Sequence, residues 1–299
     1  MDEQEQLRRT AFAVAYRMLG SVADAEDVGQ DALLALHQAR LRGEVVRSAP
    51  ALVTTIATRL AIDVLRSARV RRESYVGDGL PEPLSADPGQ DPEARAELAD
   101  SLSMAFLVLL EALTPEQRAA LLLHDVFDYG YDEVADALGT TPANARQLTA
   151  RARRHAKAGA PRFVSTPEQL ADLTFRFAVA IQAGDLGALQ AVLAPDVVLR
   201  GDGGGRVPAL ARPVYGRLHV ARTLLAWARA GVDRGALVEF AQVNGGPGVL
   251  TRDPEGRVLS VLSVEAHGGH VVGLWSVVNP TSSVTAARSG RCSDATRDD

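Results

Sequence analysis

Residues Gly130 to Lys157 read GYDEVADALGTTPANARQLTARARRHAK, and two helices around a tight corner account for them. Val134, Ala135 and Leu138 recur at the three-to-four spacing of an amphipathic helix. Gly139 follows where a helix C-terminus favours a residue of positive φ. Thr140 or Thr141 then caps the next helix, and Pro142 stands in its first turn, where a missing N–H costs nothing. Helix, short glycine-containing turn, helix is the helix-turn-helix arrangement. The second helix carries Arg146, Arg151, Arg153, Arg154 and Lys157, and no acidic residue lies between Asp136 and Glu168. Cations neutralise phosphates, and polar side chains in the N-terminal half of such a helix reach base edges. Asn144, Arg146, Gln147 and Arg151 suit that second task. DNA binding is favoured over a solvated basic face on an ordinary helical hairpin.

Composition limits what such a helix can do. The chain has 299 residues, room for two or three domains, with 46% hydrophobic and 23% charged residues and a net charge of −5. That balance argues against a protein that coats nucleic acid indiscriminately, so DNA contact must rest on local basic patches. Lys157 is the only lysine, a skew that base composition explains as well as function does. The lone Cys292 leaves neither a disulfide framework nor a cysteine zinc site, and no metal or cofactor is expected. The N-terminus, MDEQEQLRR, lacks a signal peptide's apolar core, and no apolar run approaches a bilayer's thickness. A cytoplasmic protein without a membrane partner is the expectation.

Upstream, residues 5–20 form a helix that Gly20 closes, and Ser21 with Asp24 begins the next. That next helix loads Asp24, Glu26, Asp27 and Asp31 into its first half and Leu33, Leu34 and Leu36 into its second. Capping needs fewer acids than this, so an acidic docking face is a second reading beside simple solvation. Gly29 weakens the helix by about 1 kcal/mol relative to alanine. A long helix from Pro50 to about Arg72 ends in Arg59, Arg66, Arg69, Arg71 and Arg72, a second basic patch. Proline, glycine and acids then dominate YVGDGLPEPLSADPGQDP, which reads as a linker. Helix returns at Glu93–Ala112, and Thr114-Pro115-Glu116-Gln117 is a strong helix start.

Beyond Pro167 the periodicity changes. Helices near 167–183, 185–193 and 216–230 accompany strand-like segments at 197–200, 237–243, 248–251, 258–265 and 271–278. Asp253-Pro-Glu-Gly256 and His267-Gly-Gly269 are hairpin turns. This pattern predicts an α+β domain, a run of antiparallel strands curved around helices. Residues 281–299 lack periodicity and are expected to be disordered.

Taken together, these stretches resemble a bacterial sigma factor of the extracytoplasmic-function (ECF) class, in the sigma-70 family. Residues 18–36, MLGSVADAEDVGQDALLAL, resemble the region 2 helix that binds polymerase. Residues 54–75, TTIATRLAIDVLRSARVRRESY, resemble the segment that reads the −10 element. LTPEQRAALLLHDVFDYGYDEVADALG and RQLTARARRHAK resemble region 4, which reads the −35 element. The whole chain is similar to a subgroup with a SnoaL-like, nuclear-transport-factor-2-like C-terminal extension. Leu80-Pro81-Glu82-Pro83 answers that subgroup's Trp-Leu-Pro-Glu-Pro linker motif, with Gly79 in place of the tryptophan. Asp202-Gly203-Gly204-Gly205-Arg206-Val207 answers an Asp-Gly-Gly-Gly-Lys-Val motif, and Asn279-Pro280 a shortened closing motif. Leu52 and Gly29 depart from the usual tryptophan and aliphatic residues at their positions.

The resemblance implies two all-α sigma domains, 1–75 and 93–160, joined by a linker at 76–92, then an α+β SnoaL-like cone at 163–280. Core polymerase, through its beta and beta-prime subunits, and promoter DNA would be the partners. Asp24, Glu26, Asp27, Gln30 and Asp31 would face polymerase. Arg59, Arg66, Arg69, Arg71 and Arg72 would serve the −10 element. For the −35 element, Asn144, Arg146, Gln147 and Arg151 would read bases and Arg153, Arg154 and Lys157 would hold phosphates. Ala145, Leu148 and Ala152 must face the core, which sets Gln147 and Arg151, four apart, on the outer face. Leu80, Pro81, Glu82, Pro83, Asp202, Gly203, Gly204, Gly205, Arg206, Asn279 and Pro280 would carry a regulatory intramolecular contact between the cone and the sigma domains. The extension's alternatives are a small-molecule sensor or a cyclase- or hydratase-type enzyme using Asp196, His219, His267 or His270 at a cavity mouth. No pair of these has a diagnostic spacing, and no catalysis is the preferred reading.

Overall fold

In the computed structural model, the described residues are 3–71, 80–84, 103–159, 167–203, 210 and 212–278. Three helices come first: α1 (Glu3–Leu19), α2 (Val22–Leu41) and α3 (Ala49–Arg71). Gly20, at φ 68°, closes α1, and the Ser21 side chain accepts a hydrogen bond from the Asp24 N–H to open α2. Gly29 lies where α1 and α2 approach closely, with Phe12 N and Ala11 Cβ 3.7 and 3.8 Å from where its own Cβ would stand. The glycine that departs from the family pattern therefore faces a neighbouring backbone rather than solvent.

The second group is α4 (Met104–Glu111), α5 (Pro115–Leu121), a π-helical turn (Leu122–Val126), α6 (Tyr131–Leu138) and α7 (Pro142–Gly159). Thr114 and Gln117 form the reciprocal capping box expected at the start of α5, with Pro115 at its first position. The π turn was not anticipated: nothing in periodicity marks one extra residue per turn. Gly139 takes φ 62°, ending α6 as its position required. Leu7, Tyr16, Val28 and Ala57 share one buried cluster with Leu107, Leu110, Leu121 and Ala152, so the two helical groups close over a common core. Ala120, Leu123, Val134 and Ala145 form the smaller core of the helix-turn-helix.

The C-terminal part comprises α8 (Pro167–Gln182), α9 (Leu186–Val192), β1 (Leu193–Asp202), β2 (Val214–Tyr215), α10 (Arg217–Val232), β3 (Leu237–Val243), β4 (Gly246–Arg252), β5 (Val258–His267) and β6 (His270–Val278). Its six strands make one sheet in the order β2-β1-β6-β5-β4-β3. The expectation of an all-antiparallel run is corrected at one place. β1 pairs with β6 in parallel, Leu199 opposite Leu274, because β1 leaves α9 without a turn and waits for the last strand. Leu173, Phe177, Leu189, Leu199, Val220, Leu224 and Leu274 fill the space between the helices and the inner face of the sheet. This is the expected α+β architecture, a curved sheet wrapped on helices.

Candidate nucleic-acid interface and interdomain contact

Helix α7 turns Ala145, Thr149 and Ala152 inward, leaves Leu148 half-buried and exposes Gln147, Arg151 and Arg154. Both threonines of the corner are used. The Asn144 backbone N–H donates to Thr141 Oγ1 at 3.2 Å, and its side-chain amide donates to Thr140 Oγ1 at 2.8 Å. Asn144 is thereby tied to the turn that caps the helix. Arg153 donates from Nε and Nη2 to the two oxygens of Asp125, at 2.9 and 2.6 Å. Those bonds hold its pKa above the ordinary guanidinium value. Arg146 lies over the Tyr131 ring, 5.2 Å from its centroid. The seven residues expected to meet the −35 element thus divide. Gln147, Arg151 and Arg154 are exposed, and Asn144, Arg146 and Arg153 are engaged locally. The Lys157 side chain lies outside the described residues.

On α3 two of the arginines expected at the −10 element, Arg59 and Arg66, remain exposed but are bonded to the second helical group. Arg59 donates from Nε to the Ala137 carbonyl at 2.9 Å and from Nη2 to the Asp136 carbonyl at 2.6 Å. These are carbonyls of the last turn of α6, at the negative end of its dipole, and that of Asp136 also accepts a longer bond from the Gly139 N–H at 3.3 Å. Arg66 donates to Glu116 Oε1 from Nη2 at 2.8 Å and from Nε at 3.2 Å. The side chains of Arg69 and Arg71 lie outside the described residues, as does Arg72 altogether.

Two arginines that the sequence did not single out seal the same junction. Arg118, buried at the end of α5's first turn, donates to the Met18 carbonyl of α1. Arg17, also buried, donates to the Ala13 carbonyl and stacks 5.4 Å from the Phe127 ring centroid. Burial lowers the Arg17 pKa to about 10. Their spacing in sequence carries no sign of this, since the contacts join residues about a hundred apart.

On the opposite side of the first helical group, α2 buries Ala25, Val28, Ala32 and Leu36. Asp24, Glu26, Asp27, Gln30 and Asp31 are all exposed on its outer face, joined there by Leu34 at 53% exposure. Acids one helical turn apart from an open leucine make a surface suited to a partner with cations around an apolar spot.

The most connected site is the short segment from Leu80 to Leu84. The Leu80 N–H donates to Asp202 Oδ2 at 2.7 Å, at the end of β1. Pro81 packs on Gly20, where an added Cβ would stand 3.3 Å from Pro81 Cβ. The Glu82 N–H donates to the Gly20 carbonyl at 2.7 Å, and its carboxylate accepts from the Val22 N–H at 2.9 Å. Leu84 and Asn244 exchange two bonds: Leu84 N–H to Asn244 Oδ1, and Asn244 N–H to the Leu84 carbonyl, both 2.8 Å. Tyr16 closes the circuit, its hydroxyl donating to the Glu82 carbonyl and accepting from Asn244 Nδ2 at 2.9 Å. Burial raises the Tyr16 pKa well above that of a free phenol, against the lowering effect of the Asn244 bond. Of the residues named from the motifs, Leu80, Pro81, Glu82, Pro83 and Asp202 come together here, and Gly203 is buried just beyond Asp202. Gly204, Gly205, Arg206, Asn279 and Pro280 lie outside the described residues. Tyr16 and Asn244 were missed. The visible trace of Asn244 was the Asn244-Gly245 pair, with φ of 51° and 76°, a hairpin turn between β3 and β4.

The groups considered for chemistry do not converge. Asp196, His219 and His270 are exposed, and His267 is half-buried near the β5–β6 turn. Glu265, on the outer face of β5, is the one acid there whose pKa burial raises. Its Oε2 and the edge of Trp275 would stand 2.8 and 2.7 Å from a Cβ on Gly273, so the glycine is what lets them pack.

Residues 4–71 match the Sigma-70 region 2 family model and residues 103–155 the Sigma-70 region 4 model. Over 290 residues the chain is 38% identical to the ECF RNA polymerase sigma factor SigJ of Mycobacterium tuberculosis, covering 94% of this chain and 92% of that protein. It is 33% identical over 189 residues to the probable ECF RNA polymerase sigma factor SigI of the same species, covering 62% of this chain and 63% of the relative. The crystal structure of the Mycobacterium tuberculosis SigJ superposes with a TM-score of 0.73 at 35% identity, covering 92% of this chain and 95% of that one. The chain therefore belongs to the extracytoplasmic-function class of the sigma-70 family, factors that bind RNA polymerase and direct promoter-specific initiation.

Proposed function

We propose that this sigma factor is held in a closed, low-activity form by its own C-terminal domain, acting through the Leu80–Leu84 segment. The observation that carries this reading is a pair of coincident contacts. Asp202 and Asn244 fasten the linker against α1 and α2, while Arg59 and Arg66 are spent on the helix-turn-helix group. An arginine bonded to protein carbonyls is not free to neutralise a phosphate, so promoter binding through α3 requires the two helical groups to separate.

In the open form, the exposed acids of α2 would dock on the beta or beta-prime subunit of polymerase. Arg59, Arg66, Arg69, Arg71 and Arg72 would meet the −10 element. Asn144, Arg146, Gln147 and Arg151 would read the −35 element, with Arg153, Arg154 and Lys157 on its phosphates. The C-terminal domain would act as a fastening, without chemistry of its own; the apolar filling of its interior and the exposure of Asp196, His219 and His270 support this. Action on bacterial promoters places the protein in the cytoplasm, and no helix among the described residues is long and apolar enough to cross a membrane.

Transcription reconstituted from core polymerase, the full-length chain and a promoter library tests the reading. Promoter-specific product is expected, and Asp202→Ala, which releases the linker from β1, should increase it. No change on releasing the linker would overturn the closed-form proposal; no specific product from either protein would overturn the promoter assignments.

A further inference from the structure

Tyr131 opens α6, outside the recognition helix, and is not among the residues that read or hold DNA in the assignment above. Two side chains meet it. Its ring stacks on His124 at 4.1 Å between centroids and 30° between planes. Arg146 lies over the same ring at 5.2 Å.

The support beneath is itself fixed. His124 Nδ1 stands 2.8 Å from the Tyr129 carbonyl oxygen, and since a carbonyl only accepts, this nitrogen carries the hydrogen. His124 and Asp125 are consecutive residues of the π turn, Leu122–Val126, a geometry frequent at functional sites. One reaches the face of Tyr131 and the other the guanidinium of Arg153.

We propose that Tyr131 is a positioning residue for promoter recognition: its ring sets the direction in which Arg146 leaves the recognition helix, while Asp125 of the adjoining π turn holds Arg153. This rests on the reading of α7 as the −35 helix. A free arginine on an exposed helix samples many rotamers and must lose them on reaching a base edge. Stacking over a ring restricts it beforehand, while leaving the guanidinium edge open for a bidentate contact. Arg146 and Arg153 are seven residues apart, two turns along one face, so Tyr131 and Asp125 between them register both ends of one surface.

The proposal separates ring from hydroxyl. Full-length Tyr131→Phe keeps the stack and loses only the hydroxyl; Tyr131→Leu keeps apolar volume and loses the stack. Initiation with core polymerase is measured on promoters varied base by base through the −35 element, with Arg146→Ala and Gln147→Ala in parallel. Tyr131→Phe should retain the wild-type base preference. Tyr131→Leu should relax it by about two- to fivefold at the position that Arg146→Ala relaxes, the range of an exposed cation–ring contact. The double variant Tyr131→Leu/Arg146→Ala should relax it no further. Equal, sequence-independent losses from Tyr131→Leu, or additive effects in the double variant, would overturn the proposal. If Gln147→Ala shifts preference and Arg146→Ala does not, the −35 reading stands and the role of Tyr131 falls. If neither shifts it, both fall together. Thermal melting of Tyr131→Phe and Tyr131→Leu separates these outcomes from misfolding.

Discussion

The Tyr16 hydroxyl accepts a hydrogen bond from Asn244 Nδ2 at 2.9 Å, joining residues 228 apart in the chain. The same hydroxyl donates to the Glu82 carbonyl, so one oxygen ties the first helix, the linker and the last domain. Tyr16→Phe removes that oxygen and leaves a buried amide donor without an acceptor. The expected cost to the closed form is about 1–3 kcal/mol, the penalty for an unsatisfied buried polar group. Faster cleavage around residues 80–84 in limited proteolysis, together with increased transcription from core polymerase, is the expected outcome. Unchanged cleavage would show that the segment is held by its proline packing instead.

Glu116 tests whether the α3 arginines are withheld. Partial burial pushes its pKa up, but the Arg66 hydrogen bond prevails and holds it below the ordinary carboxyl value. A lowered folded pKa means the pair's contribution is present above the unfolded value, about 4.3, and fades as pH falls through the lower folded value. With the Arg66 and Glu116 side chains 60% and 36% exposed, the pair is worth under about 1 kcal/mol. Glu116→Gln should hardly move the unfolding midpoint at neutral pH, yet tighten promoter binding by freeing Arg66. Arg59→Ala should loosen the same junction and weaken promoter binding, because it deletes a phosphate ligand. Filter binding of promoter DNA with the holoenzyme separates the two, and parallel behaviour would contradict the assignment of Arg59 to DNA.

Gly29→Ala should stabilise the first helical group by about 0.5–1 kcal/mol, the helix-propensity difference. The new Cβ meets Phe12 N at 3.7 Å and Ala11 Cβ at 3.8 Å, ordinary van der Waals contacts. Leucine at this buried position must place three more carbons against the α1 backbone and should reverse the sign. Urea denaturation of the two full-length variants gives the comparison.

Glu265 is destabilising where it is ionised. Burial raises its folded pKa, with His267 opposing, so its protonated form favours the fold. That contribution is complete below the unfolded carboxyl pKa, about 4.3, and is lost as pH rises through the raised folded value. Glu265→Gln should therefore raise stability at pH 7 and change it little near pH 4, read from denaturation at both pH values. A variant equally destabilised at both would mean that the carboxylate makes a specific contact over Gly273.

What the sequence by itself determined is what depends on neighbours along the chain. The helix-turn-helix, its Gly139 corner and its outward Gln147–Arg151 face follow from 3.6-residue periodicity and one glycine's freedom at positive φ. The caps at Ser21 and Thr114 are local hydrogen bonds across three residues, legible for the same reason. The linker motif and Asp202 stood out by resemblance, but only as separate pieces. Tertiary structure decided which pieces meet. Nothing near Tyr16 marks it as other than an apolar helix position, and nothing near Asn244 distinguishes a latch from a turn residue. Arg59 and Arg66 read as free cations until the fold set them on the Asp136 and Ala137 carbonyls and on Glu116. The parallel β1–β6 pair arose in the same way, since strand pattern encodes which face is buried and not which strand lies alongside. Hydrogen bonds between distant residues form only after the chain has closed its loops, and a pattern that repeats over a few residues carries no record of that closure.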